Sequence, residues 1–243
     1  MTDVKIGFIG LGNMGMGMAL NLLESEIDLG VYDLSHAARM QLVAAGATEA
    51  SSAGELAGNV DLLFICLPFT PEVESVLFQT GRVLDGGREG LLIIDTSTLN
   101  YNSMLEIAQR VSAANMTYCD CPVSGLPQKA MDGTLTMMFG GPQWAFEKSR
   151  FLLDLMGETV IHCGEPGTGQ MMKAVNNMMY NINIAGFCEI MPVAVKAGLD
   201  PEQLANVVMS GSSRSFASQH FVPRIMEGCF ENDFPMGAAF KDI

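Results

Sequence analysis

The chain has 243 residues, of which 49% are hydrophobic, so it can bury a sizeable core and is not expected to be disordered. Its formal net charge is −14 and its lysines and arginines form no cluster, which disfavours a nucleic acid partner. No apolar run reaches the roughly 18 residues of a membrane helix, and no basic secretory leader opens the chain, so we expect a cytoplasmic protein with no membrane partner.

Short apolar strands alternate with helical segments over the first two thirds of the chain. The predicted strands are Val4–Ile9, Leu29–Asp33, Val60–Leu67, Leu91–Asp95, Thr117–Cys121, Thr134–Phe139 and Thr159–Cys163. The predicted helices are Met14–Glu24, Ala37–Ala45, Pro71–Phe78, Asn102–Ala114 and Gln143–Leu155. This alternation is typical of an α/β protein with a doubly wound, mainly parallel sheet.

The pattern changes near residue 164, where a glycine-rich connection precedes a long apolar helical stretch, Gln170–Ala197. Asp200, followed by a proline, is typical of the N-cap of a further helix. Another helix is predicted over Phe216–Met226, and no strand signal appears after residue 164. We therefore predict two domains: a sheet domain over residues 1–163 and an all-helical domain over residues 164–243.

The first predicted strand runs into a glycine-rich turn of the pattern GxGxxG. Its residues are Gly10, Leu11, Gly12, Asn13, Met14 and Gly15. The first glycine permits the tight turn, the second lets the backbone approach a pyrophosphate, and the third lets helix and strand pack closely. The N–H groups that begin the following helix then face the phosphates. The turn predicts a Rossmann-type dinucleotide site, and a glycine turn used only for packing is the alternative.

The second predicted strand ends in Asp33, near the spacing of about 20 residues expected for the acidic residue of such a site. Its carboxylate can accept hydrogen bonds from the adenosine ribose and repel a 2′-phosphate. This favours NAD as the cofactor and leaves NADP possible, because a solvated carboxylate at a strand end is the alternative.

Cysteine and histidine spacing gives no metal-binding pattern. The six cysteines include no CxxC pair, and the three histidines lie far apart. We therefore predict no metal site and expect reduced, mostly buried thiols.

Two polar residues stand near the start of the long apolar helix. Lys173 has apolar neighbours in sequence, and burial among them would disfavour its charged form, as a general base requires. Asn177 follows one turn later on the same helical face. Both side chains could reach one substrate hydroxyl, although spacing alone equally allows a lysine that extends to solvent.

A serine and a glycine, Ser124 and Gly125, follow a predicted strand end. Backbone N–H groups and a serine hydroxyl there can receive a carboxylate without net positive charge. An ordinary Ser-Gly turn is the alternative.

Taken in order, four segments resemble the β-hydroxyacid dehydrogenase family, which includes 3-hydroxyisobutyrate dehydrogenase and tartronate semialdehyde reductase. The segments are Phe8–Leu22, Asp120–Gly125 with Asp132–Thr136, Gly167–Asn177 and Phe240–Ile243. The resemblance covers essentially the whole chain. It implies a Rossmann-type domain, a long interdomain helix and an all-α C-terminal domain.

The resemblance also implies roles for individual residues. Lys173 matches the catalytic acid/base, and the substrate-binding positions are Ser124, Gly125 and Asn177. Positions beside the cofactor are Leu67, Pro68, Thr98 and Lys241.

This chain departs from the family pattern in two places. Leu126 and Pro127 follow the Ser-Gly pair where the family commonly has a second glycine, which changes the shape and donors of the expected substrate site. The sequence also stops just after the Lys241 motif, so we expect an incomplete helical domain.

The sequence thus predicts an NAD(P)-dependent oxidoreductase that interconverts a small β-hydroxyacid and its semialdehyde. We expect a small carboxylate-bearing substrate and a homodimer or homotetramer. The alternatives are a reductase of another small aldehyde or imine on the same scaffold, and a cofactor-binding module without catalysis.

Overall fold

A computed structural model describes residues 4–229, which form nine strands and eleven helices. The strands are β1 (Ile6–Ile9), β2 (Leu29–Tyr32), β3 (Thr48–Glu49), β4 (Leu62–Ile65), β5 (Leu92–Asp95), β6 (Thr117–Asp120), β7 (Val123–Ser124), β8 (Leu135–Gly140) and β9 (Gly157–Gly164). The helices are α1 (Gly15–Glu24), α2 (His36–Ala44), α3 (Ala53–Asn59), α4 (Thr70–Phe78), α5 (Val83–Gly86), α6 (Tyr101–Ala113), α7 (Pro127–Met131), α8 (Gln143–Met156), α9 (Thr168–Lys196), α10 (Pro201–Ser210) and α11 (Phe216–Met226).

The strands form one sheet in the order β3-β2-β1-β4-β5-β6-β8-β7, with β9 beside β8. The first six strands pair in parallel, whereas β8 runs antiparallel to β6 and β7. The chain winds outward in one direction from β1 to β3 and in the other from β4 to β6. The prediction of a doubly wound α/β sheet is confirmed, and ligands bind such sheets at the carboxyl ends of the strands where the winding reverses.

Both faces of the sheet are buried, because alternate strand residues belong to two separate cores. Phe8 and Phe64 stack at 5.8 Å on one face, which is covered by α1, α2 and α8. Ile9 and Ile65 belong to the other face, which is covered by α3, α4, α5 and α6. Burial on both faces explains why β1, β4 and β5 read as continuous apolar runs.

The chain divides into two compact units, the first ending at Lys173 and the second beginning at Ala174. Within the second unit, residues 174–229 contain only helices. Their small core consists of Phe187, Ala205, Ala217 and Val222. The predicted N-cap at Asp200 is confirmed, because its carboxylate accepts a hydrogen bond from the Gln203 N–H at 2.9 Å.

Helix α9 has 29 residues and is the one helix among the described residues that is long and apolar enough to cross a membrane, by length and composition only. The expectation that no segment reaches that length was therefore wrong. Only 11% of the apolar window is buried. Exposed apolar side chains on this scale are typical of surfaces that contact a partner.

The six cysteines are all free thiols, but they are less buried than we expected. Cys119 and Cys121 are buried in the sheet, and burial raises the pKa of both thiols. Cys188 and Cys229 are exposed, because they lie outside the sheet on α9 and after α11.

Candidate functional site

The glycine turn between β1 and α1 has the geometry that its three glycines predict. Gly10 has a φ of +93°, and a Cβ there would lie 2.1 Å from the Cys66 carbonyl oxygen. A Cβ on Gly15 would lie 1.9 Å from the Gly10 carbonyl oxygen, whereas Gly12 faces open space. Helix α1 has no side-chain cap and no acidic residue in its first turn. The turn therefore leaves room and an uncapped helix N-terminus for an anionic group.

Asp33 lies at the end of β2 and is tied to the glycine turn. Its Oδ2 accepts a hydrogen bond from the Leu11 N–H, and its Oδ1 accepts one from the Ser35 N–H, each at 2.7 Å. Each carboxylate oxygen has a second lone pair, so both oxygens can still accept a bond from a ligand hydroxyl. Asp33 thus fixes the position of the turn as well as offering a binding group.

A cavity of about 310 Å³ opens at the carboxyl ends of β1 and β2. It brings together four of the predicted cofactor residues: Gly10, Asp33, Leu67 and Pro68. The charged residues in its lining are Asp33 and Glu72, both acidic. Acidic walls suit a neutral ribose better than a phosphate. No sequence motif predicted a role for Glu72, which lies on α4.

The loops after β4 and β5 are joined by a hydrogen bond. The Leu67 N–H donates to the Ser97 hydroxyl at 2.8 Å, and the Ser97 N–H donates to Asp95 Oδ1 at 2.8 Å. Thr98 is the next residue and is partly exposed. The Asp95 carboxylate that ends β5 therefore holds Ser97, and the Ser97 hydroxyl in turn holds the predicted cofactor position Leu67.

Ser124 and Gly125 lie where β7 meets α7, a strand and a helix that the sequence did not predict. Gly125 has a φ of +146°, which other residues rarely adopt. Helix α7 packs against α1 so closely that a Cβ on Gly17 would lie 2.7 Å from the Ala130 backbone carbon. The Asn21 side chain also donates to the Ala130 carbonyl at 2.7 Å. The predicted substrate segment is thus anchored to the helix that follows the glycine turn.

A buried carboxylate holds the beginning of α9. Asp120 Oδ1 accepts from the Gly167 N–H and Oδ2 accepts from the Gln170 N–H, each at 2.7 Å. Burial raises the pKa of Asp120 to about 6, against the opposing effect of these hydrogen bonds. Because the carboxylate carries a negative charge and faces the N-terminus of α9, it stabilises the start of this helix.

Lys173 and Asn177 lie one turn apart on α9 and are both buried, with 9% and 6% of their surface exposed. The apolar neighbours Met171 and Val175 are instead 54% and 52% exposed. The expectation that these neighbours bury Lys173 was therefore wrong. The usual distribution is reversed, with polar residues buried and apolar ones exposed.

The Asn177 side-chain amide has a buried nitrogen, Nδ2, with no hydrogen-bond acceptor among residues 4–229. A buried N–H group without a partner costs free energy, and such groups in native proteins are commonly reserved for a ligand or water. Of the other predicted site residues, Asn13 is exposed and Met14 is half-buried in the glycine turn, and Lys241 lies outside the described residues.

Two family models together match almost the whole chain. The NAD binding domain of 6-phosphogluconate dehydrogenase matches residues 5–164. The NAD-binding region of NADP-dependent 3-hydroxyisobutyrate dehydrogenase matches residues 167–243.

Individual proteins with similar sequences and structures carry dehydrogenase names. The chain is 36% identical to 2-(hydroxymethyl)glutarate dehydrogenase of Eubacterium barkeri, over 99% of this chain and 80% of that protein. It is 36% identical to a probable mitochondrial 3-hydroxyisobutyrate dehydrogenase of Dictyostelium discoideum, over 91% of this chain and 69% of that protein. The structure of Mycobacterium tuberculosis 3-hydroxyisobutyrate dehydrogenase with L-serine is similar at a TM-score of 0.89 and 29% identity, covering 98% of this chain and 84% of that chain.

Proposed function

Because the chain belongs to the β-hydroxyacid dehydrogenase family and is an NAD(P)-dependent oxidoreductase acting on CH–OH, we propose that it interconverts a small β-hydroxyacid and its semialdehyde. In this proposal Lys173 is the general acid/base. The observation that carries it is the burial of Lys173 and Asn177 on a helix whose apolar side chains are exposed. Burying two polar side chains in place of apolar ones costs stability, which function explains and packing does not.

The residues around the glycine turn fit NAD. Gly12 and the uncapped start of α1 would hold the pyrophosphate, and Asp33 would accept hydrogen bonds from the adenosine ribose. Leu67 and Pro68 would cover the adenosine in the cavity. NAD, when bound, supplies the hydride acceptor. The acidic lining favours NAD over NADP, because a 2′-phosphate would be repelled.

The substrate carboxylate would be held by Ser124 and Gly125. In a chain of net charge −14 an anion needs local donors, and a hydroxyl and backbone N–H groups supply them. The Asn177 Nδ2, which has no acceptor within the described part of the chain, would donate to a substrate oxygen. The relatives support a substrate of this class, since 3-hydroxyisobutyrate and 2-(hydroxymethyl)glutarate both combine a hydroxyl with a carboxylate.

Lys173 would move one proton in each turnover. As a neutral amine it accepts the substrate hydroxyl proton while the carbon loses hydride and becomes the aldehyde carbonyl. In the reverse direction the ammonium form donates that proton to the new alkoxide. The burial of Lys173 limits its access to water while substrate is bound, so the proton passes directly between the substrate and the amine. After oxidation and release of the product, the ammonium form would return this proton to solvent before the next turnover.

The test is NAD-linked oxidation of 3-hydroxyisobutyrate, 2-(hydroxymethyl)glutarate, glycerate, serine and 4-hydroxybutyrate. With the best substrate, Lys173→Ala should lower kcat by roughly 100-fold or more, because the proton acceptor is gone. The Kd for NADH, followed by fluorescence, should stay within about twofold, since the cofactor is held elsewhere. Lys148→Ala is the matched control, because Lys148 is an exposed lysine on α8.

Near-normal turnover in Lys173→Ala would overturn the proposed role of Lys173. NADH binding without turnover of any hydroxyacid in the panel would overturn the proposed reaction.

A further inference from the structure

Gln170 makes an unusual pair of hydrogen bonds with the loop that follows β5. Its side-chain Oε1 accepts from the Leu99 N–H at 3.1 Å, and its Nε2 donates to the Ser97 carbonyl at 2.8 Å. The side chain is only 3% exposed. One amide thus spans Thr98, pairing with the backbone group on either side of it.

The chemistry of this contact requires an amide. The loop offers one N–H donor and one carbonyl acceptor, and a primary amide is the neutral side chain that complements both. A buried methionine of similar length would leave the Leu99 N–H and the Ser97 carbonyl without partners. An asparagine has the right groups but is one methylene shorter, so it cannot reach both.

The same turn of α9 is held from a second direction. The backbone N–H of Gln170 donates to Asp120, at the end of β6. The packing there is so close that a Cβ on Gly169 would lie 2.3 Å from the Met138 carbonyl oxygen, and one on Gly140 would lie 2.4 Å from Asp120 Oδ1. The first turn of α9 is therefore fixed to β6 and β8 through its backbone, and to the β5 loop through Gln170.

This network connects the start of α9 with the loop after β4. Ser97, whose carbonyl binds Gln170, accepts the Leu67 N–H through its hydroxyl. Leu67 lines the cavity, and Lys173 lies three positions after Gln170 on α9. Gln170 thus joins the turn that carries Lys173 to the loops that carry Leu67 and Thr98.

We propose that Gln170 is a positioning residue, which holds Lys173 in register with the cofactor loops after β4 and β5. The inference rests on the proposed role of Lys173 as the acid/base. Gln170 does not touch the reacting atoms in this proposal. Its two hydrogen bonds prevent the first turn of α9 from shifting relative to the strand ends, and a misplacement of about 1 Å can cost on the order of 100-fold in rate.

The first test is a measurement on the apoprotein. In Gln170→Met, hydrogen exchange followed by mass spectrometry should be at least tenfold faster in peptides covering Ser97–Leu99, because the Leu99 N–H loses its acceptor. Acetylation of the buried Lys173 should also be faster, whereas Lys148 should react as before. Gln143→Met, the same substitution at an exposed position on α8, is the control and should change neither. Unchanged exchange and labelling in Gln170→Met would overturn the inference.

The second test is a double-mutant cycle with the best substrate of the panel. Gln170→Met should lower kcat by roughly 10- to 100-fold and leave the KM for NAD within about twofold. If Gln170 acts through Lys173, adding Gln170→Met to Lys173→Ala should cost less than about threefold more. Gln170→Asn, which keeps a buried amide, serves if the methionine variant does not fold and should show the same pattern.

The outcomes separate this inference from the proposed function. The double variant could instead show a decrease in kcat equal to the product of the decreases in the two single variants, or both Gln170 variants could have a normal kcat. Either result would overturn positioning by Gln170 while leaving Lys173 as the acid/base. Near-normal turnover in Lys173→Ala would instead remove the role on which both proposals depend.

Discussion

Asp33 has a structural role and an electrostatic role, and the two use the same carboxylate. It accepts the N–H groups of Leu11 and Ser35, so it holds the glycine turn against the end of β2. It also contributes one of the two acidic side chains in the cavity, the other being Glu72. A substitution at Asp33 should therefore be isosteric if it is to test charge rather than loop structure.

We predict that Asp33→Asn reduces the preference for NAD over NADP. The amide oxygen can still accept from the Leu11 N–H, and the bond lost is the one to the exposed Ser35 N–H. The substitution also removes the negative charge that repels a 2′-phosphate and strengthens the ribose hydrogen bonds. The ratio of kcat/KM for NAD to that for NADP should fall by roughly tenfold or more, which corresponds to about 1.4 kcal/mol. Steady-state kinetics with both cofactors measures this ratio.

Glu72→Gln removes the same charge from the same cavity without affecting the glycine turn, so it is the matched control. Its effect on the ratio should be smaller. An equal effect of the two substitutions would show that overall cavity charge, rather than Asp33, selects the cofactor.

The sequence predicts single residues well where a local rule applies and poorly where burial depends on the whole fold. The GxGxxG rule predicted the geometry of Gly10, Gly12 and Gly15, because each glycine is required by its immediate backbone. Asp120 and Gln170 stood inside segments that we had singled out, but nothing local distinguishes them. Their partners are far away in sequence, and only the folded sheet shows that both side chains are buried.

Helices α1 and α7 form one element pair that connects cofactor and substrate segments. The contact depends on Gly17, which permits close approach, and on the Asn21 side chain, which donates to the Ala130 carbonyl. Since Ser124 and Gly125 directly precede α7, the position of the pair sets the position of the predicted carboxylate donors.

We predict that Asn21→Ala weakens substrate binding more than cofactor binding. The loss of one partly buried hydrogen bond should lower the free energy of unfolding by about 1 kcal/mol and loosen α7. The KM for the hydroxyacid should rise by roughly fivefold to tenfold, whereas the Kd for NADH should stay within about twofold. In Asn59→Ala, the control, an asparagine loses a bond to the Glu55 carbonyl on its own surface helix, and neither constant should change. Equal weakening of both ligands in Asn21→Ala would contradict a selective role for α7.

Elements with a strong local pattern were predicted correctly, and elements without one were missed. Strong apolar runs revealed β1, β4 and β5, and helical periodicity revealed α1, α6 and α8. In contrast, α3 contains two glycines, which lowers its intrinsic helix propensity. It forms because Ser52 caps it and because Ala53, Leu56 and Ala57 are buried against the sheet. Such tertiary burial is not visible in a local pattern, and the same holds for the five-residue α7.

For the folded chain as a whole, two buried carboxylates lie side by side in the sheet. Asp95 and Asp120 are register partners on β5 and β6, and both are fully buried. The Tyr118 hydroxyl and the Ser97 N–H donate to Asp95, while two N–H groups of the α9 start donate to Asp120. Burial nevertheless raises the pKa of both carboxyl groups. The fold thus retains two buried carboxyl groups whose ionisation costs stability, at the edge of the sheet where ligands bind.

We predict that this cost appears as a pH dependence of global stability. The folded chain holds the Asp120 proton more tightly than the unfolded chain does, because the pKa rises from its ordinary value of 3.8 to about 6 on folding. The contribution of this protonated carboxyl group to the free energy of unfolding is therefore fully present below about pH 4 and is lost as the pH rises through 6. The free energy of unfolding of the wild type, relative to that of Asp120→Asn, should fall by roughly 2 kcal/mol between pH 4 and pH 7. Urea unfolding of both proteins across this range measures the difference, in which the titrations of groups that do not interact with Asp120 cancel. The difference in the free energy of unfolding could instead be independent of pH, or grow in favour of the wild type as the pH rises. Either result would show that the hydrogen bonds from the Gly167 and Gln170 N–H groups lower the pKa of Asp120 at least as much as burial raises it.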